Sequence, residues 1–175
     1  MAGERVIDRV ATALRAATDD LLLVANDSAA DAWLPGVRRV GDVRRDRGPL
    51  GGVHAALTHC GGDVLVVAWD MPFVAPALLG ELRVRARSGY SAVVPESAAG
   101  QLEPTCALYA ESCRLDLERW LDSGRSGASA FLMQCPGVLR IPVAEVSRFG
   151  DPARLFFSIN TREALEQAKA FAALP

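Results

Sequence analysis

Strand-like and helix-like segments alternate almost throughout the chain, which predicts a layered α/β fold whose mostly parallel sheet is covered by helices. Two further observations point the same way. The strand-like runs are short and continuously aliphatic, as strands buried on both faces are. Polar residues also follow three of them at the position where open α/β sheets bind ligands, just outside the carboxyl ends of the strands.

Taken in order, Val6, Ile7, Val10, Leu14 and Ala17 recur at helical spacing, so residues 4–18 are predicted as an amphipathic helix that Asp19 and Asp20 end. Strands are predicted at 21–25, 64–69, 91–95, 106–109 and 138–143, each bounded by turn residues. Phe156 and Phe157 read as one further strand end. Helices are expected near 52–60, 75–89, 111–122, 127–134 and 161–173. The charged stretch from Val40 to Arg47 reads as a solvated loop. At the far end, Asn160 is expected to cap the last helix, with Glu163 reaching back to it.

The composition bounds the function. A chain of 175 residues reads as a single domain over 1–175. Half of its residues are hydrophobic and 23% are charged, enough to build a core. A net charge of −2 lacks the basic excess of proteins that grip a phosphate backbone, so nucleic acid is disfavoured as a partner while isolated nucleotides are not. Of the 19 basic residues only Lys169 is a lysine. The longest apolar runs are too short to cross a bilayer, and the first residues carry no signal-peptide core, so a cytoplasmic protein is expected. Cys60, Cys106, Cys113 and Cys135 show no C-x-x-C spacing and are read as reduced thiols. No long apolar stripe is left over, which makes a monomer the expectation.

Three segments carry candidate chemistry. Asp70 ends the run Val64 to Trp69 and is followed by Met71, Pro72 and Phe73. A carboxylate at such a strand tip suits a Mg²⁺ ion bridging nucleotide phosphates, or equally a cap on the following turn. Gly48-Pro49-Leu50-Gly51-Gly52 runs into a helix, and glycines there allow a ligand close to the backbone at a helix N-terminus. Asn26 follows the first predicted strand, and Asp42 lies just before the glycine turn. His54, His59 and Cys60 do not have metal-site spacing, and no Ser or Cys sits in a nucleophile elbow.

As an ordered set, these segments resemble the molybdenum cofactor guanylyltransferase family. The set comprises Leu21 to Asn26, Asp42, Gly48 to Leu57, Asp70 to Phe73, Glu103 to Tyr109 and Phe157 to Leu165, which together run over essentially the whole chain. The resemblance implies a three-layer Rossmann-like nucleotidyltransferase fold that moves GMP from GTP onto molybdopterin with Mg²⁺ as cofactor. It also implies roles by position. Asn26 contacts the guanine nucleotide, Asp42 its base or ribose side, Gly52 faces the nucleotide, and Asp70 holds the metal and is the catalytic residue. Glu103, Pro104 and Asn160 are acceptor-side candidates.

The chain departs from the family pattern in two places. Relatives begin with a strand and a loop of the form L-x-G-G-x-S-x-R-M-G-x-D-K, roughly two dozen residues in a fold of this type, whereas this chain starts at the following helix. A sheet without that central strand is expected to leave neighbouring backbone groups and apolar surface without partners. Ser158 stands where relatives commonly have Asn. Alternatives to guanylyl transfer are cytidylyl transfer, guanylyl transfer to another phosphate acceptor, and a non-catalytic module that binds a cofactor, a molybdoenzyme or a pterin-handling protein.

Overall fold

The computed structural model describes residues 4–98 and 101–173. Helix α1 (Val6–Arg15) leads into strand β1 (Leu22–Val24), a 3-10 turn (Ser28–Ala32) and strand β2 (Arg38–Val40). Then come α2 (Pro49–Cys60), β3 (Val64–Val67), α3 (Pro76–Ala86), β4 (Ala92–Pro95) and β5 (Cys106–Tyr109). The rest is α4 (Arg114–Asp122), α5 (Ala128–Gln134), β6 (Val138–Ile141), α6 (Val143–Val146), α7 (Pro152–Leu155) and α8 (Arg162–Ala173). Among the described residues no helix is long and apolar enough to cross a membrane.

The strands form two sheets. β1 and β2 pair in parallel, with Leu22 opposite Arg38. The other sheet has the order β3-β5-β4-β6, in which β3, β4 and β6 run one way and β5 runs against them. Alternation along its middle strands builds the layers. Ala92, Val94, Ala107 and Tyr109 face a core filled by α2, α4 and α5. Val93, Cys106 and Leu108 face a second core with α1, α3, α6 and α7. These side chains are almost wholly buried, so β4 and β5 are covered on both faces as expected.

Helix ends follow local chemistry. Pro49 and Pro76 occupy first-turn positions, where a missing N–H costs nothing, and Gly61 ends α2 with a left-handed φ of 63°. Asp27 Oδ1 accepts from Ala29 N at 2.8 Å, and Asp151 Oδ1 from Ala153 N at 3.1 Å, each starting a turn.

The structure corrects several expectations. Arg38–Val40, next to and partly within the stretch read as loop, is an edge strand. Its charges are tolerated because Arg39 leaves the sheet to bond the Ala25 carbonyl at 3.0 Å and to pair with Asp31. Phe156 and Phe157 are not a strand, since α7 ends at Leu155 and the chain continues irregularly. The last helix is capped by Thr161, whose Oγ1 accepts from Ala164 N at 3.1 Å, and Asn160 is engaged elsewhere. α2 begins at Pro49, three residues before its expected start. β1 and most of β3 are only half-buried despite their aliphatic sequence, because each has one edge beside a cleft that separates the two sheets.

Candidate functional site

Two polar clusters stand at the carboxyl ends of β1 and β3. In the first, Asn26 Nδ2 donates to Asp42 Oδ2 at 2.9 Å and Asp42 N donates to Asn26 Oδ1 at 2.8 Å. This reciprocal pair ties the segment after β2 to the end of β1. Asp46 (φ 60°) and Gly48 (φ 57°) then turn the backbone through left-handed conformations into α2. The turn is so tight that a Cβ on Gly51 would lie 3.0 Å from the Arg44 carbonyl oxygen and 3.4 Å from Asp42 Oδ2. The Asp42 carboxylate therefore lies over the first turn of α2, where the helix dipole favours negative charge. Gly52 sits in the same turn but faces the cleft, with only Val24 Cγ1 near, 3.9 Å from its Cβ position.

Helix α4 buttresses this loop. Arg44 reaches the Glu118 carbonyl at 3.4 Å and Asp122 Oδ2 at 3.2 Å. The buried His54 places Nε2 3.3 Å from Glu118 Oε1, which also accepts from Arg114 Nη1 at 2.7 Å. Burial opposes ionisation of Glu118, yet the bonds from His54 and Arg114 prevail and hold its carboxyl below the usual range. His54 thus has a structural partner, His59 lies apart and exposed, and no cluster of three metal-ligating side chains occurs among the described residues.

In the second cluster, Ser158 Oγ donates to Asp70 Oδ2, and Asn160 Nδ2 donates to Ser158 Oγ at 2.9 Å. Ile159 N donates to the Asp70 carbonyl at 3.0 Å, which pins the segment before α8 to the tip of β3. Aromatic packing holds it there. Phe73, Phe157 and Phe171 pack with ring centroids 5.2–6.4 Å apart, and the guanidinium carbons of Arg9 and Arg154 lie 5.8 and 5.4 Å from the Phe73 centroid. Glu103 and Pro104 form the turn before β5, beside the end of β3, where Ala68 N donates to the Thr105 carbonyl at 2.7 Å. The Pro104 carbonyl accepts from Tyr109 Oη at 2.8 Å. Burial raises the Glu103 carboxyl above the usual range, partly offset by a bond to Ser97.

The cleft between β1 and β3 is lined by Val24 and Gly52 on one side and by Ala68, Trp69 and Thr105 on the other. Trp33 and Trp69 pack across it with centroids 6.1 Å apart. The sequence puts Asn26, Asp70 and Asn160 after strand-like runs and Asp42 in a charged loop, and the pairing of Asp42 with Asn26 emerges only from the structure. Nor does the sequence show that Ser158 bonds Asp70, or that Arg44 braces the loop. For Ser158 the one available signal was its place between two residues of the final motif. For Arg44, one arginine in a charged run, the sequence offers none.

The sequence matches the MobA-like NTP transferase domain over residues 1–138. The chain belongs to this family. It is 33% identical, over 96% of its length and 82% of the relative's, to the molybdenum cofactor guanylyltransferase of Desulfosudis oleivorans. A probable molybdenum cofactor guanylyltransferase of Thermococcus gammatolerans is also 33% identical, over 91% of this chain and 80% of the relative. Among solved structures, molybdopterin-guanine dinucleotide biosynthesis protein A from Archaeoglobus fulgidus superposes with a TM-score of 0.80 at 28% identity, covering 99% of this chain and 88% of that one. As a MobA-like transferase the chain has nucleotidyl transfer as its class of chemistry, and the three-layer nucleotidyltransferase fold implied by the resemblance is the one observed.

Proposed function

We propose that this protein transfers the guanylyl group of GTP to the phosphate of molybdopterin. A phosphate oxygen of the acceptor attacks the α-phosphorus in line, the bond between that phosphorus and the bridging oxygen breaks, and pyrophosphate leaves. The observation that carries the reading is the pair of polar clusters that follow β1 and β3, Asn26 with Asp42 and Asp70 with Ser158 and Asn160.

The roles follow from charge. A carboxylate already lies over the first turn of α2, so Asp42 repels phosphate and is suited to accept from the N–H groups of guanine or from ribose hydroxyls. Asn26 holds it in place, and Gly52 gives the nucleotide room beside Val24. The triphosphate belongs on the Asp70 side. Mg²⁺ is characteristically held by one or two carboxylates together with substrate phosphates and water, and the lone Asp70 carboxylate fits that donor set. When bound, the ion would neutralise charge on the phosphates. Ser158 orients the Asp70 carboxylate, and Asn160 orients Ser158. Glu103, Pro104 and Asn160 line the acceptor side. With no protein nucleophile required, catalysis rests on positioning and fixed charge.

The test is turnover of α-labelled GTP with molybdopterin and Mg²⁺, read as labelled dinucleotide and pyrophosphate. Asp70→Asn should lower the rate by at least ~100-fold while the protein stays folded, on the scale of losing one fixed electrostatic contact in a transferase site. Undiminished transfer by that variant refutes the role of Asp70, and faster use of CTP than GTP makes the enzyme a cytidylyltransferase. A second reading, a binding module without turnover, draws support from the division of the sheet between the two clusters. It predicts stable association with a molybdoenzyme or pterin-handling protein and no product from either nucleotide.

A further inference from the structure

Among the described residues His54 is the one histidine, amide or charged side chain that is buried, with 3% of its surface exposed. It stands on the second turn of α2, whose neighbouring Val53 and Leu57 pack in one layer with Leu117 and Leu121 of α4. Its Nε2 lies 3.3 Å from Glu118 Oε1, but its Nδ1 is buried with no partner. An unpartnered buried nitrogen costs stability, so a leucine of similar volume would pack there at less cost. The histidine therefore calls for a role other than holding the fold together.

Glu118 is where two restraints meet. Its side chain takes His54 from α2 and Arg114 Nη1 at 2.7 Å, while its main-chain carbonyl accepts from Arg44 Nη1 at 3.4 Å. Arg44 Nη2 also donates to Asp122 Oδ2, one turn further along α4, at 3.2 Å. The Arg44 carbonyl in turn closes on α2, where its oxygen lies 3.0 Å from the Cβ position of Gly51, with Asp42 Oδ2 3.4 Å from the same point. Residue 118 is thus joined to α2 by its side chain and to the loop before α2 by its backbone. Both joints fix the height of Asp42 over the first turn of α2, because a loop tied to α4 alone moves whenever α4 slides along α2. Apolar contact is non-directional and does not set that slide, whereas the bond from His54 to Glu118 does.

We propose that His54 is a positioning residue for the nucleotide: through Glu118 and Arg44 it sets where the Asp42 carboxylate stands, and thereby the affinity of the site for the base or ribose of GTP. With no acceptor at Nδ1, the proton that bonds Glu118 is on Nε2, and the amide of a glutamine supplies the same donor. This role rests on the reading that Asp42 contacts the nucleotide, and it adds to that contact two residues, His54 and Glu118, that act on the ligand only through the loop.

The experiment is equilibrium dialysis of the 175-residue protein and its variants against GTP, with melting temperatures taken on the same preparations. His54→Leu should melt at or above the wild-type temperature yet bind GTP about fivefold or more weakly, the lower end of coupling through indirect contacts. In transfer assays the loss should appear in the KM for GTP, with kcat at saturation and the KM for molybdopterin unchanged. His54→Gln should restore the affinity for GTP. Arg44→Ala should weaken GTP binding as well, and its effect should add little to that of His54→Leu, since both act on one loop. The proposal is overturned if His54→Leu binds GTP as the wild type does, if it melts well below the wild type, or if His54→Gln fails to rescue. Asp42→Asn tells this failure from that of the underlying reading. If Asp42→Asn loses GTP and His54→Leu does not, the role of His54 alone falls, whereas if Asp42→Asn binds GTP normally, or the wild type binds none, both fall.

Discussion

Gly51 and Gly52 are adjacent in sequence, yet alanine at the two positions should change stability in opposite directions. At Gly52 the new methyl meets only Val24 Cγ1 at 3.9 Å, an ordinary contact, so the helix propensity of alanine dominates and stabilises by about 0.5–1 kcal/mol. At Gly51 the methyl would lie 3.0 Å from the Arg44 carbonyl oxygen and 3.3 Å from Arg47 Cβ, and a backbone carbonyl held by its loop moves only at a cost. Overpacking of about 1–3 kcal/mol outweighs the same propensity gain, leaving a net destabilisation of about 1 kcal/mol. For a chain of this length that difference is a melting temperature lowered by about 2–4 °C for Gly51→Ala and raised by about 1–4 °C for Gly52→Ala. Urea unfolding measures both. Because the Gly51 methyl also presses on Asp42 Oδ2, it should break the Asn26–Asp42 pair, so the losses from Gly51→Ala and Asn26→Ala should sum to more than the loss in the double variant. If Gly51→Ala stabilises as much as Gly52→Ala, the tight approach of this loop to α2 is wrong and the placement of Asp42 falls with it.

Three other outcomes are expected. Ser158→Ala removes the bond that orients Asp70 and should cost about 1 kcal/mol in urea unfolding and roughly tenfold in transfer rate, while Ser158→Asn, which restores a side-chain donor, keeps most of the rate. Burial pushes the Cys106 and Cys113 thiols up to about 12 and Cys135 up to about 11, so a thiol reagent at pH 8 should modify the exposed Cys60 first and reach Cys106 and Cys113 only after unfolding. The Glu103 carboxyl is raised from 4.5 in the folded state, so the fold binds its proton more tightly than the unfolded chain does. That contribution is fully present below the unfolded value and is lost as pH rises through the folded one, and Glu103→Gln should flatten this part of the stability profile.

Periodicity made legible what packing enforces. β4 and β5 are continuous apolar runs because each residue meets a helix on one face or the other, and α2 announces itself through Pro49 and Gly61. β2 was hidden because an edge strand lets Arg38 and Arg39 point away from the sheet, and no period separates such a strand from a charged loop. The misreading of Phe156 and Phe157 has a different cause. Their rings serve the aromatic packing that anchors α8 and the core below α7, and apolar burial outside regular structure carries no period at all. Asp70 was visible because a strand tip is a position with a topological meaning. Ser158 was not, because its partner is 88 residues away and no local rule relates the two.

The position of Asp42 decides how the site divides its labour. Phosphate and carboxylate compete for the same helix dipole, and in this fold the first turn of α2 is already covered by a carboxylate held by Asn26. A triphosphate placed there would meet like charge, while a base or sugar edge would meet an acceptor held in place by two hydrogen bonds. The proposed assignment puts the phosphates at β3, where Asp70 is fixed from one side by Ser158 and from the other by the turn that Ile159 closes on its carbonyl. On the proposed assignment, recognition and chemistry sit on different sheets. They are held in relation by α2, which packs on both β1 and β3, and by the Trp33–Trp69 contact. On the proposed assignment, the separation between base contact and reacting phosphorus follows from how α2 holds β1 relative to β3.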